Sequence, residues 1–500
     1  MLVMQHVVTF LPSGIRILAD EKMTLKQAAE QAACLLSTPC GGHGTCGKCK
    51  LSWRTPGDAE WTESLACQTP VRSDLEVRLP ARVSSESQTD GVPPAAVPPV
   101  PFSSDAELGL AVDLGTTSVA AALVPLSDPT YPSSPLSTLN RQQGFGADVI
   151  ARLGYAQQSR EAARELQLAA LDSIRELVAT LCGQQDVSPD RIRACQIAGN
   201  TAMQQLLLGI DCSALCELPF AAAFTDQPPP LPSFAVPFLP PTARLSVMPQ
   251  LAGFVGGDTT AAILASELTE LENPVMLVDI GTNGEMALWT NNKLFVASTA
   301  AGPAFEGAKI SCGMRATNGA IDHVRIVNGK PQPHTIQETP PVGICGSGLL
   351  DAVLALRQLN LLDEAGTLTA GDSYALAPSV ILTQQDIREF QLAFSAIRSG
   401  IDALLHHAEV KASELHTLFL AGGFGSFLSI PNAVQLGLLP PCPRIVPIGN
   451  ASLNGAIRCL LSETEMQKAK RLARIAVPLE LASDPFFTDR FLDHMIFCSL

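Results

Sequence analysis

The chain has 500 residues, 46% of them hydrophobic, enough for roughly two to four domains with sizeable cores. Its 48 Asp and Glu outweigh 33 Lys and Arg, and a net charge of −15 with a pI near 5.0 argues against nucleic acid or an anionic membrane surface as partner. Apolar runs fall short of the about 18 residues of a membrane span, and 14 cysteines with no secretory-type leader point to the reducing cytoplasm rather than to a disulfide framework.

Residues 1–80 read as one small β-rich domain. VVTFLPSGIRIL sets two short apolar runs around Pro12-Ser13-Gly14, a hairpin signal. TLKQAAEQAACLL opens on Thr24, a good N-cap, and continues in helix formers. PCGGHGTCGKCKL follows, with five residues between Cys40 and Cys46, two between Cys46 and Cys49, and Cys67 seventeen residues further on. Glycines 41, 42, 44 and 47 let such a loop turn its N–H groups toward bound sulfur. Three close thiolates and one distant one suit a [2Fe–2S] cluster on Cys40, Cys46, Cys49 and Cys67. Zinc sites more often pair two short cysteine knuckles. With four cysteines present, His43 is not needed as a ligand, which sets a Rieske-type centre aside. DLEVRLP closes the domain with strand alternation.

Residues 81–107 are rich in serine and then proline (Pro93, Pro94, Pro98, Pro99, Pro101) and read as a flexible linker. At ~3.1 Å per residue when extended, it would let the first domain swing through tens of ångströms.

From residue 108 onward, buried apolar strands alternate with helices. GLAVDLGTTSVAAALV and PVMLVDIGTNGEMALW share one design: apolar strand, Asp, glycine-containing polar turn, apolar strand. QLAGFVGGDTTAAILASEL reads as a strand end and a helix started by Asp258 or Thr259, and TLFLAGGFGSFLSI as a strand, a glycine turn and a helix start. QIAGNTAMQQLLLG and GICGSGLLDAVLAL each bring a turn into a helix, the second with its N-terminus available to an anion. Cys345 in the latter reads as a small buried residue. Gly115 and Gly281 open the backbone to an anion, and Thr116, Thr117, Thr282 and Asn283 add neutral donors. Asp113 and Asp279, at strand ends, are placed to hold Mg²⁺ or its waters. A single DxGT is an ordinary turn as readily as a phosphate site; two copies in this order, with GGDTTA and LAGGFG, are not a chance pattern.

This set resembles the actin, sugar kinase and Hsp70 (ASKHA) ATPase superfamily across most of residues 108–460. VDLGTTS is similar to its first phosphate loop, VDIGTNGE to its second, GGDTTAAILAS and GNASLNGAI to its two connecting helices, and LAGGFGS to its adenosine loop. Thr-Asn-Gly in the second loop departs from the familiar triple glycine. The expected fold is therefore α/β: a ferredoxin-like β-grasp domain over 1–80, the linker, and a two-lobed actin/Hsp70-like ATPase domain over 108–500. The resemblance implies ATP, with Thr116 and Thr117 on the β- and γ-phosphates and Gly115, Gly281, Thr282, Asn283 and Gly284 completing the phosphate loops. It places Gly422, Gly423 and Phe424 along the nucleoside, Asp113 and Asp279 on hydrated Mg²⁺, and Asp258 on the attacking water. As a residue of its own, Asp258 is equally a helix N-cap.

A cluster domain tethered to an ATPase resembles the reductive activators of corrinoid proteins. That resemblance spans nearly the whole chain, including AGNTAM, AGPAFEGAKISCGMRA, GICGSG and LELASDPFFTDRFLDHM. It implies ATP-dependent transfer of one electron to Co(II), restoring the Co(I) nucleophile of a methyltransferase system's corrinoid protein. It also implies a low-potential electron donor and a homodimer. An acceptor ~59 mV below the donor costs about 1.4 kcal/mol per electron, which ATP can cover several times over. Some members carry a middle domain; here the linker meets VDLGTTS almost directly, and residues 125–145 read as an insertion loop. The same pattern also accommodates an ATP-driven reductase of another acceptor, a redox-regulated kinase of this fold, or a redox-sensing chaperone-like module.

Overall fold

The computed structural model describes residues 5–11, 14–32, 36, 44, 49–79, 102, 106–127, 132–229, 236, 238–271, 274–369 and 371–498. Cys40, Cys46, the Pro12-Ser13 turn and nearly all of the 81–107 linker lie outside them.

In the first domain, β1 (Gln5–Leu11) and β2 (Ile15–Asp20) form the expected antiparallel hairpin. Thr24 caps α1 (Leu25–Gln31), exchanging hydrogen bonds with Gln27. Two strands not anticipated from the sequence follow the cysteine loop: β3 (Lys50–Arg54) and β4 (Thr62–Leu65). With β5 (Leu75–Arg78) they make one sheet in the order β2-β1-β5-β3-β4, in which β1 and β5 run parallel. This is the β-grasp arrangement. Alternation along β1 sends Val8 and Phe10 inward against Leu25, Ala28 and Ala29 of α1, and Cys49 and Cys67 belong to the same core.

The first lobe of the remaining chain contains β6 (Leu108–Leu114), β7 (Ser118–Pro125), β8 (Leu136–Leu139), α2 (Val149–Ala156), α3 (Arg160–Gln185), β9 (Ile192–Gly199), α4 (Thr201–Leu208), β10 (Arg244–Val247) and α5 (Gly257–Ala265). Its sheet runs β10-β9-β6-β7-β8. On β6, large residues (Leu110, Val112, Leu114) face one core and small ones (Gly109, Ala111) the other, because a helix of the second lobe packs close there. The 125–145 stretch is not a plain insertion loop: β8 extends the sheet beside β7. The expected strand end ahead of the GGDTTA helix is irregular backbone, and the strand lies upstream as β10.

The second lobe repeats the plan with β11 (Val275–Ile280), β12 (Gly284–Thr290) and β13 (Lys293–Thr299), then β14 (Ala320–Val327), β15 (Lys330–Thr335), β16 (Gly343–Ile344), α6 (Gly346–Gln358), β17 (Ser373–Ala377), β18 (Val380–Thr383) and the long α7 (Gln384–His407). It ends with β19 (Thr417–Ala421), α8 (Gly422–Phe427), α9 (Ile430–Leu436), β20 (Arg444–Gly449), α10 (Ala451–Leu461), α11 (Glu463–Ile475), β21 (Ala476–Pro478) and α12 (Pro485–His494). The main sheet is ordered β20-β19-β11-β12-β13-β21. In both lobes an antiparallel hairpin (β6-β7, β11-β12) sits beside a parallel strand that arrives after a long crossover (β9, β19). Helices α5 and α10 cross between the lobes: a Cβ on Gly455 would lie 2.0 Å from the Ala261 carbonyl oxygen, so only glycine permits this approach. No described helix is long and apolar enough to cross a membrane.

Candidate active site

The two polar turns face one another across the gap between the lobes. Thr117 Oγ1 and Thr282 Oγ1 stand 3.2 Å apart and join the tips of the β6-β7 and β11-β12 hairpins. Around them lies a cavity of about 270 Å³. Asp113, Gly115, Thr116, Thr117, Asp258, Asp279, Gly281, Thr282, Asn283, Gly422, Gly423 and Phe424 all line it, so residues more than 300 positions apart meet as the sequence suggested. Gly284 does not line it. Its missing side chain faces α7, where a Cβ would lie 2.2 Å from Ile397 Cδ1, so this glycine serves packing.

Five carboxylates line the cavity, and the charges of four of them, Asp113, Asp258, Asp279 and Glu285, act on one another. Asp113 accepts hydrogen bonds from Asn450 Nδ2 at 3.0 Å and Ser452 Oγ at 2.7 Å, both from the start of α10. Asp279 and Glu285 are cross-strand partners on one face of the β11-β12 hairpin. Asp258 lies in the first turn of α5; the N-cap is Gly256, so Asp258 is not the cap, although its Oδ1 accepts the Thr259 N–H at 2.7 Å. Burial, then the charge of Asp113, pushes the Asp258 carboxyl up to about 7. Burial, then Asp258 and Asp113, does the same to Asp279, again to about 7. Glu285 is raised well above the usual carboxylate range by burial and by Asp258 and Asp279. So many acids in one low-dielectric space favour a proton or a cation among them.

The phosphate turns are closely held. A Cβ on Gly115 would come 2.7 Å from the Ser118 carbonyl oxygen, which requires glycine in this tight hairpin. Thr116 Oγ1 accepts from Asn200 Nδ2 at 2.9 Å, and Asn200 also caps α4 through the Met203 N–H. Thr282 Oγ1 donates to Glu306 Oε1 at 2.5 Å. Behind the first turn, the guanidinium of buried Arg152 donates to the Thr116 carbonyl at 2.6 Å. Burial brings its pKa down to about 9 against the opposing pull of Asp148 and Glu306.

The other end of the cavity is apolar. Phe424 stacks on Phe305 with ring centroids 4.6 Å apart, and Phe427 and Met314 extend this wall. Gly422 (φ +84°) lets α8 start against Asp279, where a Cβ would be 2.5 Å from Oδ1. Cys345, Gly346 and Ser347 line the cavity at the start of α6, while Gly346 also packs so tightly that a Cβ would meet the Phe305 carbonyl oxygen at 2.0 Å. Contact with the cavity and close packing thus both hold there, and Cys345 is buried as expected.

In the first domain, Cys49 Sγ and Cys67 Sγ stand 3.3 Å apart and both are buried. That is well beyond a disulfide bond, about 2.05 Å, and two buried cysteine sulfurs brought together are the donor chemistry an iron–sulfur cluster needs. Gln68 Nε2 approaches Cys67 Sγ at 3.7 Å as a donor to sulfur. Among the cavity residues that the sequence did not single out are Glu285, Asn200, Glu306 and Phe305.

Comparison with known proteins covers the chain in three stretches. Residues 8–72 match the family described as 2Fe–2S iron–sulfur cluster binding domain, residues 108–271 the RACo middle region, and residues 273–499 the C-terminal ASKHA domain of RACo. The middle region is therefore present: it begins at β6 and forms the first lobe. The corrinoid activation enzyme RamQ of Eubacterium limosum is 33% identical over 424 residues, covering 78% of this chain and 70% of its own. The Co(II) methylated amine-specific corrinoid protein reductase of Methanosarcina barkeri is 27% identical over 274 residues, 50% of this chain and 51% of that protein. Among solved structures, a reductive activator for corrinoid, iron–sulfur protein superposes with a TM-score of 0.73 at 28% identity, covering 98% of both chains.

Proposed function

Because this chain belongs to the RACo family of reductive activators of corrinoid proteins, we propose that it uses ATP to pass one electron to the Co(II) corrinoid of a methyltransferase system's protein, restoring Co(I). The observation that carries the proposal is the presence in one chain of a buried pair of adjoining cysteines and a two-lobed cavity lined by carboxylates from both lobes. A [2Fe–2S] cluster, when bound, supplies one-electron chemistry, near about −400 mV for the plant type.

The roles of the chain's own residues follow from their chemistry. Cys49 and Cys67, with Cys40 and Cys46, would hold the cluster; Gln68 adds a donor to sulfur. Asp113, Asp279 and Glu285 would hold hydrated Mg²⁺, whose charge would let Asp279 and Glu285 ionise at neutral pH. Asp258, with its carboxyl near 7, is suited to orient and deprotonate the attacking water. Thr116, Thr117, Thr282 and Asn283 would accept the phosphates, and Phe424 on Phe305 the nucleoside face. The protein would act in the cytoplasm, take its electron from a low-potential donor and pair as a homodimer.

The test follows Co(II) to Co(I) by absorbance under anaerobic conditions. It combines a corrinoid protein, a low-potential reductant, Mg·ATP and this chain, with Cys67→Ser and Asp279→Ala as controls. Co(I) that appears only with ATP and with both residues intact supports the proposal. Cobalt that stays Co(II) with several corrinoid proteins, while the cluster-loaded chain still hydrolyses ATP, would send the electron to another acceptor.

A further inference from the structure

A short turn such as Gly115-Thr116-Thr117 can show an anion either its carbonyl oxygens or its N–H groups, and only the second choice binds phosphate. In this chain all three carbonyls are taken from behind. Asn140 Nδ2 donates to the Gly115 oxygen at 2.8 Å, Arg152 Nη2 to the Thr116 oxygen at 2.6 Å, and Gln143 Nε2 to the Thr117 oxygen at 2.8 Å. The Asn140 N–H adds a second bond to the Thr117 oxygen at 3.0 Å. No acceptor among the described residues takes the N–H of Gly115, Thr116 or Thr117.

The donors belong to one buried network. Asn140, Gln142 and Arg152 are each 0% exposed. Gln142 Oε1 accepts from both Asn140 Nδ2 and Arg152 Nη1, while Gln142 Nε2 ties the group to the Leu166 carbonyl of α3. Arg152 Nε is paired with the Gly146 oxygen at 2.9 Å. A buried guanidinium is costly unless its donors are paired, and here the pairing is directed at the back of the turn.

We infer that Asn140, Gln143 and Arg152 are positioning residues that fix the polarity of the first phosphate turn, holding its carbonyls away from the cavity so that its N–H groups meet the phosphate oxygens. The inference rests on the cavity being a nucleotide site. It assigns a role to Asn140 and Gln143, between β8 and α2, and to Arg152 in α2, none of which lines the cavity.

The test is calorimetric titration of the full-length chain with Mg·ATP and, separately, with adenosine. Gln143 is partly exposed, so Gln143→Met should fold; Thr117 keeps its bond from Asn140, and ATP should bind about 3-fold more weakly. Arg152→Lys keeps the charge but cannot reach all the acceptors, and should cost about 10-fold. Adenosine affinity should be unchanged in both, a separation that loosened packing alone would not produce. If a folded variant binds ATP within 2-fold of the parent, or loses adenosine and ATP equally, the bracket is not a positioning device. Should Arg152→Lys unfold, Gln143→Met alone decides. If the parent chain binds neither ligand, the nucleotide reading itself falls and takes this inference with it.

Discussion

Asp279→Asn should stabilise the empty protein while abolishing its function. The Asp279 carboxyl is pushed up from 3.8 to about 7, first by burial and then by Asp258 and Asp113. About three units at ~1.4 kcal/mol each gives a ceiling of about 4 kcal/mol. The side chain is only half-buried at the wall of an open cavity, and screening by water there reduces this to about 1–3 kcal/mol. The sign follows from proton binding. An unfolded chain ionises this group near 3.8, whereas the metal-free folded chain keeps its proton to about 7, so stability falls as pH rises between these values and then levels off. Asparagine removes that loss. In chelator and without nucleotide, scanning calorimetry at pH 8 should find the variant more stable by about 1–3 kcal/mol, with a smaller difference at pH 5.5. Adding Mg·ATP should raise the melting temperature of the parent and leave the variant nearly unmoved. A variant that is less stable than the parent at pH 8, or a difference that ignores pH, would refute the electrostatic reading of the cluster.

Asp258→Asn should bind ATP with nearly the parent affinity but hydrolyse it about 10²–10⁴-fold more slowly, as a steady-state phosphate-release assay would show; unchanged turnover would leave Asp258 without a catalytic role. Gly455→Ala would place a methyl 2.0 Å from the Ala261 oxygen and force α10 off α5; we expect about 1–3 kcal/mol of destabilisation in a denaturant melt and weaker nucleotide binding. Cys67→Ser should lose the visible absorbance and electron paramagnetic signal of a reduced [2Fe–2S] cluster while ATP binding persists, because the thiolate pair lies in a separate core. A variant that keeps the full cluster signal would remove Cys67 from the ligand set.

What the sequence made legible was local. Asp113 and Asp279 end strands, Gly115 and Gly281 open turns, and each motif fits within a dozen residues, so a hairpin design could be recognised twice without knowing how the copies meet. Glu285 was within reach: two strands joined by the Gly281–Asn283 turn place it opposite Asp279, and register alone puts both on one face. Asn200 in AGNTAM reads as part of a turn into a helix; its bond to Thr116 spans 84 positions and leaves no trace in periodicity. Asn140 and Gln143 come from the 125–145 stretch that reads as an insertion loop, and Arg152 from the helix after it, because polar residues that satisfy one another have no pattern in one dimension. Phe305 and Glu306 sit in AGPAFEGAKISCGMRA, whose glycines and alanines announce close packing but not against what. Gly284 failed in the opposite direction: it belongs to a recognisable motif, yet its open side is filled by Ile397 of α7.

The cavity also explains how a nucleotide can act on a partner without touching the electron. Asp113 belongs to the first lobe but is held by Asn450 and Ser452 from α10, which follows the last strand of the second lobe's sheet. Thr117 and Thr282 join the two turns tip to tip, and Gly455 against Ala261 leaves the connecting helices no clearance. Every group that would grip the phosphates is therefore split between lobes whose contact is close-packed and cannot be deformed gradually. A cation brought in with the nucleotide would draw on acids of both lobes, Asp258 from the first and Asp279 and Glu285 from the second, which crowd one another across the boundary when the site is empty. A ligand shifts a conformational equilibrium only by the difference in its affinity for the two states, and here the acids supply that difference. ATP binding and hydrolysis would thus set how the lobes face each other, and hence how tightly the chain holds its partner. The redox step would then depend on cysteines in a domain that nucleotide never needs to enter.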